Sequence, residues 1–89
     1  MEQVKLHYPV TVNGADVEAL NLRRPTVRDM LAADKARGSD AEKEIRMFCN
    51  LCEVGPEVIE SLDLADYARL QKAYQGFLSS GRETPASSV

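Results

Sequence analysis

The sequence has no tryptophan, one histidine and only two cysteines among its 89 residues, so few imidazole and thiol groups are available for catalysis or metal binding. A structural zinc site takes four ligands from cysteine, histidine or carboxylate side chains, whereas His7 is far from Cys49 and Cys52 along the chain. No serine or cysteine has a histidine–carboxylate relay beside it in the sequence, and there is no glycine-rich phosphate loop. We therefore predict no metal, no cofactor and no catalytic residue, and we expect that the chain is not an enzyme.

Cys49 and Cys52 form a C-x-x-C pair whose position argues against redox chemistry. A thioredoxin-like pair lies at the start of a helix in a βαβ unit. Here the pair lies late in a predicted helix, and Cys52 falls on its apolar face. Since buried free cysteine packs as a small hydrophobic residue, we expect both thiols to serve packing.

The sequence also lacks a basic stripe. Its formal net charge is −3, and five acidic residues but no basic residue lie between Glu53 and Asp66. A surface that binds nucleic acid needs clustered lysine and arginine to displace counterions from the phosphates. We therefore predict no nucleic-acid partner.

Long hydrophobic runs are missing as well. No apolar run approaches the roughly 20 residues that a helix needs to span a bilayer. Residues 1–10 have neither the basic region nor the apolar region of a secretory signal. We expect no membrane association and a cytoplasmic location, where thiols stay reduced.

Residues 4–12 alternate between apolar and polar side chains, which is typical of a half-buried β-strand. The apolar positions are Val4, Leu6, Tyr8, Val10 and Val12. Asn13 and Gly14 tolerate positive φ and predict a hairpin turn, so residues 17–23 are the returning strand. The apolar positions of this second strand change phase, which predicts a bulge near Ala19.

The segment Arg24-Pro25-Thr26 predicts a junction between strand and helix. Pro25 cannot extend a strand ladder and keeps Arg24 out of the helical conformation. Thr26 is followed three residues later by Asp29, which resembles a capping box and predicts a helix over residues 26–37. We predict an ion pair between Arg24 and Asp29 that fixes the angle of this junction.

Two further helices are predicted in the middle of the chain. Ser39 and Glu42 have the spacing of a capping box, and the helix that they begin runs to about residue 53. Gly55 is predicted to end it. Pro56 suits the first position of a helix, so residues 56–61 are predicted to form a single short helix.

Asp63 is predicted to cap the last helix, with Asp66 in the first turn, where the helix dipole favours an acidic side chain. Residues 79–89 are mostly small and polar and predict a flexible tail.

The expected fold class is α+β, an N-terminal β-hairpin followed by three to four short α-helices packed on it. We predict a single domain over residues 1–78. Because two strands alone are barely stable, either the helices cover the hairpin or the hairpin pairs with another chain.

An aromatic stripe runs along the last helix at Tyr67, Tyr74 and Phe77. Such a stripe usually packs in a core. In a chain this short, part of it can instead stay exposed as a face that receives a partner's amphipathic helix. The pattern is compatible with both roles.

The order of these motifs resembles the small tail assembly chaperones of tailed phages and prophages, particularly the family found in Mu-like and related contractile-tailed phages. The shared pattern is a Tyr-Pro and Asn-Gly hairpin, an Arg-Pro step into a helix that carries an aspartate, and a segment from Gly-Pro to Gly-Phe-Leu. Its positions are Tyr8, Pro9, Asn13, Gly14, Arg24, Pro25, Asp29, Gly55, Pro56, Leu62, Asp63, Asp66, Tyr67, Leu70, Gly76, Phe77 and Leu78. The resemblance covers about residues 4–78.

The resemblance implies a non-enzymatic chaperone of the bacterial host cytoplasm. Its implied partners are the tape measure protein, which it would keep soluble, and the tail tube protein, whose subunits it would help to recruit; a homo-oligomer is compatible with this role. The predicted partner-binding residues are Val58, Ile59, Leu62, Tyr67, Leu70, Tyr74, Phe77 and Leu78. The alternative is a small cytoplasmic regulatory or adaptor domain that dimerises through the edge of its hairpin.

Overall fold

A computed structural model describes residues 1–79 of the chain. The elements in order are β1 (Glu2–Val12), β2 (Ala15–Leu22), α1 (Val27–Lys35), α2 (Asp40–Cys52), α3 (Pro56–Glu60) and α4 (Leu64–Ser79). The antiparallel hairpin followed by four helices confirms the predicted α+β class. Ser79 is the last residue of α4, and the rest of the predicted tail lies outside the described residues.

The hairpin contains an irregularity opposite the place where a bulge was predicted. Lys5 pairs with Ala19 and Val10 pairs with Val17, so residues 6–9 of β1 lie opposite a single residue of β2. The extra residues therefore belong to β1 and not to β2. This segment includes the proline of β1, which has no N–H group to donate to the ladder.

Both predicted capping boxes are present. The Thr26 backbone N–H donates to the Asp29 carboxylate at 2.8 Å, and the Asp29 backbone N–H donates to the Thr26 hydroxyl at 3.4 Å. At the start of α2, the Ser39 N–H donates to the Glu42 carboxylate at 2.8 Å, and the Glu42 N–H donates to the Ser39 hydroxyl at 3.2 Å. These bonds satisfy N–H groups that have no partner within the helix.

Positive φ angles occur at the hairpin turn, at Gly38 between α1 and α2, and at the end of α2. Residues 13–14 form the predicted hairpin turn, with φ angles of 52° and 79°. At the end of α2 the left-handed residue is Glu53, with φ 58°, and the Val54 N–H donates to the Cys49 carbonyl at 3.1 Å. Gly55 was predicted to end α2, but it has φ −76° and lies at the N-cap of α3 instead. A helix can end on a non-glycine residue in this way when the turn is closed by such a hydrogen bond.

The hydrophobic core is formed by the hairpin together with all four helices. Its buried side chains are Val4, Leu6, Leu20, Leu22, Ala33, Met47, Phe48, Cys49, Leu51, Cys52, Val58, Ile59 and Leu70. The Phe48 ring lies at its centre and makes edge-on contacts with Tyr67 and Tyr74, whose ring centroids are 5.6 and 5.8 Å away. This geometry is favourable for aromatic pairs and fixes α4 against α2.

Cys49 and Cys52 are both buried and free. Burial raises the pKa of the Cys49 thiol and raises the pKa of Cys52 to about 11. A thiol with a raised pKa is a weak nucleophile at neutral pH, because the thiolate is the reactive form. Both residues therefore contribute to packing.

Candidate protein-binding surface

Helix α1 exposes an apolar stripe. Val27, Met30 and Leu31 are 70%, 55% and 49% exposed, whereas only Asp29 and Ala33 of this helix are buried. The spacing i, i+3, i+4 places the three apolar side chains on one face of the helix. We call these three residues the α1 stripe.

An apolar groove lies beside this stripe, between α1, α2 and α4. Its cavity has a volume of about 510 Å³. We define the α1–α2 groove by its apolar lining residues, which are Met30, Leu31, Ala33, Met47, Phe48 and Tyr74. A groove of this kind can receive the apolar ridge of an amphipathic helix. The two methionine side chains can adapt to partners of different shape, because methionine is unbranched and flexible.

Hydrogen bonds between α2 and α4 hold one wall of the groove in place. The Glu44 carboxylate accepts a hydrogen bond from the Tyr67 hydroxyl at 2.6 Å and another from the Gln71 side chain at 2.8 Å. Burial and the bond to Glu44 together raise the pKa of Tyr67 well above its usual value. The Tyr67 hydroxyl therefore stays protonated and acts as a donor.

The predicted partner-binding residues do not share one surface. Val58, Ile59 and Leu70 are buried, so the folded chain does not present them to a partner. Tyr74 lines the α1–α2 groove, and Phe77 lines a second cavity near Arg24. The remaining three lie at or near the surface: Leu62 and Tyr67 are half-buried, and Leu78 is 63% exposed. For the accessible members, contact with a partner stays a prediction.

The ion pair predicted for the strand-to-helix junction was assigned to the wrong arginine. Arg23, not Arg24, donates two hydrogen bonds to the Asp29 carboxylate, at 2.8 and 2.9 Å. The Arg24 guanidinium lies over the Phe77 ring, 5.2 Å from its centroid. Because successive side chains of extended backbone point to opposite sides, Arg23 faces α1 while Arg24 faces α4. Pro25 and the Thr26 cap lie where the sequence placed them.

The role of Asp66 was missed at the sequence level, where it was interpreted as a first-turn acid. Its fully buried carboxylate accepts hydrogen bonds from the backbone N–H groups of His7 and Tyr8, at 3.0 and 2.9 Å. Arg69 pairs with the same carboxylate at 3.3 Å and also donates to the Lys5 carbonyl. Burial opposes ionisation of Asp66, but these donors outweigh it and hold its pKa below the usual value. Helix α4 is thereby attached to β1 at the bulge.

Within residues 1–79, no group of three or more histidine, cysteine, aspartate or glutamate side chains is placed to hold a metal ion. In the same part of the chain, no helix is both long enough and apolar enough to cross a membrane.

A family model described as "Phage tail assembly chaperone proteins, E, or 41 or 14" matches residues 3–79 of the chain. Comparison with curated proteins gave no significant match. Comparison with solved structures likewise gave none.

Proposed function

The chain belongs to the phage tail assembly chaperone family, and from this premise we propose that it binds the tape measure protein and keeps it soluble during tail assembly. The family match over residues 3–79 carries the proposal. A tail assembly chaperone acts on other tail proteins by contact, which suggests a non-catalytic role. We propose that the chain has no catalytic activity and that it acts in the cytoplasm of the bacterial host.

The α1 stripe and the α1–α2 groove support this proposal physically. A tape measure protein is long and helical, and its apolar stripes would aggregate if they stayed exposed to water. An exposed row of Val27, Met30 and Leu31 beside an apolar groove can cover one such stripe. Burial of apolar area contributes roughly 25 cal/mol per Å² to the free energy of binding, and the cost of association is subtracted from this. Because the α1 stripe has only three residues, we expect one chain alone to bind weakly.

Many copies along one tape measure helix would strengthen this binding. Each bound copy raises the effective concentration of its neighbours' sites on the same helix. Weak individual sites also allow release in sequence when tail tube subunits compete for the helix. We therefore propose that the chain helps to recruit tail tube subunits as the coat is displaced.

Co-expression with the tape measure protein of the same phage or prophage tests this function. We expect a soluble complex containing several copies of the chain per tape measure protein, whereas the tape measure protein expressed alone should be insoluble. Adding purified tail tube protein should release the chain. A tape measure protein that stays insoluble beside a soluble, folded chain would refute the proposal.

A further inference from the structure

The two outer edges of the β-hairpin differ in how the rest of the fold covers them. At the edge of β1, the Asp66 carboxylate accepts the N–H groups of His7 and Tyr8, at 3.0 and 2.9 Å. Arg69 of the same helix donates to the Lys5 carbonyl. Helix α4 therefore closes this edge, because it occupies the backbone groups that a further strand would need.

The edge of β2 has no such cover near the turn. Residues 12 and 15 flank the two-residue turn and pair with each other, so they form a hydrogen-bonded pair of the ladder. The next pair, Thr11 and Asp16, is then a non-hydrogen-bonded pair, and the N–H and C=O groups of Asp16 point away from β1. Within residues 1–79, the first backbone hydrogen bond from this side of β2 to a helix comes only after the strand, from the Arg23 N–H to the Leu51 carbonyl at 3.2 Å.

The open edge, which we define as residues 15–19 of β2, is accessible and acidic. Asp16 and Glu18 are exposed, Val17 between them is half-buried, and β2 contains no basic residue. The Thr11 hydroxyl donates to the Asp16 carboxylate at 2.8 Å, but a neutral donor leaves the charge in place. In the described part of the chain, neither acid forms an ion pair.

These charges determine which kind of strand the open edge can accept. If two copies paired through this edge, Asp16 and Glu18 of one copy would lie beside the same residues of the other, and like charges on adjacent strands are destabilising. Charged side chains on an edge strand oppose such pairing. A strand with basic side chains at the facing positions would instead form opposite-charge pairs, which are stabilising. The open edge therefore favours a basic strand of another protein over a second copy of the chain.

The other face of the open edge is apolar. Val17 pairs with Val10, and both half-buried side chains pack against the core. An added strand would cover the exposed part of Val17 with an apolar side chain, while its next residue would point to the opposite face, beside the two acids. We propose that the open edge binds, by strand addition, an extended segment of another protein in which basic and apolar residues alternate. A third strand also stabilises a two-stranded hairpin.

A synthetic peptide of about nine residues in which lysine and valine alternate is the probe, added to the purified full chain at low ionic strength. Calorimetric titration measures its affinity, and hydrogen exchange of the Asp16 amide, followed by NMR, reports where it binds. We expect the bound peptide to slow exchange at Asp16 at least about tenfold, because this N–H becomes a donor in the new ladder. A peptide of the same composition, with its lysines and valines grouped in two blocks, should bind at least about tenfold more weakly.

Variants of the chain separate strand addition from general attraction between opposite charges. Glu18→Lys should weaken binding of the alternating peptide about fivefold or more. Glu60→Lys, the same change at an exposed glutamate of α3, should alter the affinity less than about twofold. Asp16→Pro removes the outward N–H without removing a donor from the ladder with β1, so it should weaken binding in a chain that circular dichroism shows to be folded. If Asp16→Pro does not fold, the comparison of Glu18→Lys with Glu60→Lys decides.

The inference is overturned if the alternating peptide does not bind, if the block peptide binds equally well, or if exchange at Asp16 is unchanged in the complex. Equal effects of Glu18→Lys and Glu60→Lys would overturn it as well. Slower exchange at Asp16 in the chain alone, as its concentration rises, would mean that a second copy occupies the edge, which also contradicts the inference. Since the peptide does not contact the α1–α2 groove, these failures would leave the proposed binding of the tape measure protein untouched.

Discussion

The Asp66 carboxylate accepts a hydrogen bond from the backbone N–H of Tyr8 at 2.9 Å, although 58 positions separate the two residues. The bond lies at the bulge of β1, where pairing with β2 is interrupted. Backbone N–H groups that lose their ladder partner need another acceptor when they are buried. A buried aspartate of the last helix is this acceptor, and it connects the two ends of the domain.

Replacing Asp66 by asparagine should destabilise the domain. The amide has one acceptor atom in place of two, so one of the two backbone N–H groups loses its acceptor and the other keeps only an uncharged one. Hydrogen bonds to charged groups contribute about 1.5–3 kcal/mol each, and we expect the free energy of unfolding to fall by about 2–3 kcal/mol. Urea denaturation followed by circular dichroism measures this change.

Asp63→Asn is the matched control for this prediction. Asp63 is exposed and accepts the Ala65 N–H at the start of α4, a role that asparagine fulfils equally well. Its effect should be below about 0.5 kcal/mol. Equal effects of the two substitutions would mean that Asp66 acts only as a helix-start acid.

The ion pair between Arg23 and Asp29 should make stability depend on pH in acid. The two hydrogen bonds from Arg23 hold the pKa of Asp29 well below its usual value; burial opposes this shift, while the Thr26 N–H and hydroxyl reinforce it. Because the pKa is lower in the folded state, the unfolded chain binds more protons once the pH drops below about 4. The free energy of unfolding should therefore decrease as the pH falls further.

Denaturation at a series of pH values tests this linkage. Asp29→Asn should lower stability at neutral pH and make the decrease below about pH 4 shallower. Arg24→Gln should keep the wild-type slope, because Arg24 contacts Phe77 and not Asp29. If the free energy of unfolding falls less steeply below about pH 4 in Arg24→Gln but as steeply as in the wild type in Arg23→Gln, then Asp29 pairs with Arg24, as the sequence predicted.

Glu53→Gly should stabilise the domain. Glu53 has φ 58° and ψ 46°, a conformation in which a Cβ atom costs roughly 1–2 kcal/mol and glycine has no such cost. Glycine also loses more conformational entropy on folding, which offsets part of this benefit. We therefore expect the free energy of unfolding to rise by up to about 1 kcal/mol. Thermal unfolding measures it as a rise in Tm of a few degrees.

The helical Glu57→Gly is the matched control for this change. Its backbone lies in α3, where glycine is less favourable than other residues by about 1 kcal/mol, so Tm should fall. A fall in Tm for Glu53→Gly as well would indicate that the Glu53 side chain itself stabilises the turn.

Local signals in the sequence were sufficient for most of the fold. The two capping boxes, the hairpin turn and the short third helix each depend on a few neighbouring residues, and all are found where they were predicted. The helix α2 ends at about the predicted residue, but the turn that follows it was assigned to Gly55 and not to Glu53, because glycine is the usual residue at such turns. Glu53 takes the left-handed conformation at this turn although it carries a Cβ atom, which no local pattern of the sequence indicates.

The contacts between distant parts of the chain were not predictable in this way. Whether Arg23 or Arg24 faces Asp29 depends on the last residues of β2, and the partner of Asp66 depends on how α4 docks on β1. The exposure of single apolar residues was not predictable for a related reason. The sequence left open which apolar residues of the last helix pack in the core; Leu70 is buried, whereas the short helix α1 leaves Met30 exposed.

We propose that the α1 stripe and the α1–α2 groove bind an amphipathic helix of the tape measure protein. Two exposed apolar residues of similar size allow a direct comparison: Met30, 55% exposed beside the groove, and Leu78, 63% exposed near the end of α4. Each is replaced by aspartate, and both variants are checked for folding by circular dichroism. Neither substitution opens a cavity in the core.

Calorimetric titration of these variants with a helical fragment of the tape measure protein that binds the wild-type chain is the most direct measurement. We predict that Met30→Asp weakens binding at least about tenfold, because a charge placed in an apolar contact must be desolvated, and that Leu78→Asp changes it less than about twofold. Normal binding by a folded Met30→Asp variant, with loss of binding by Leu78→Asp, would contradict this proposal and indicate that the partner binds at the end of α4.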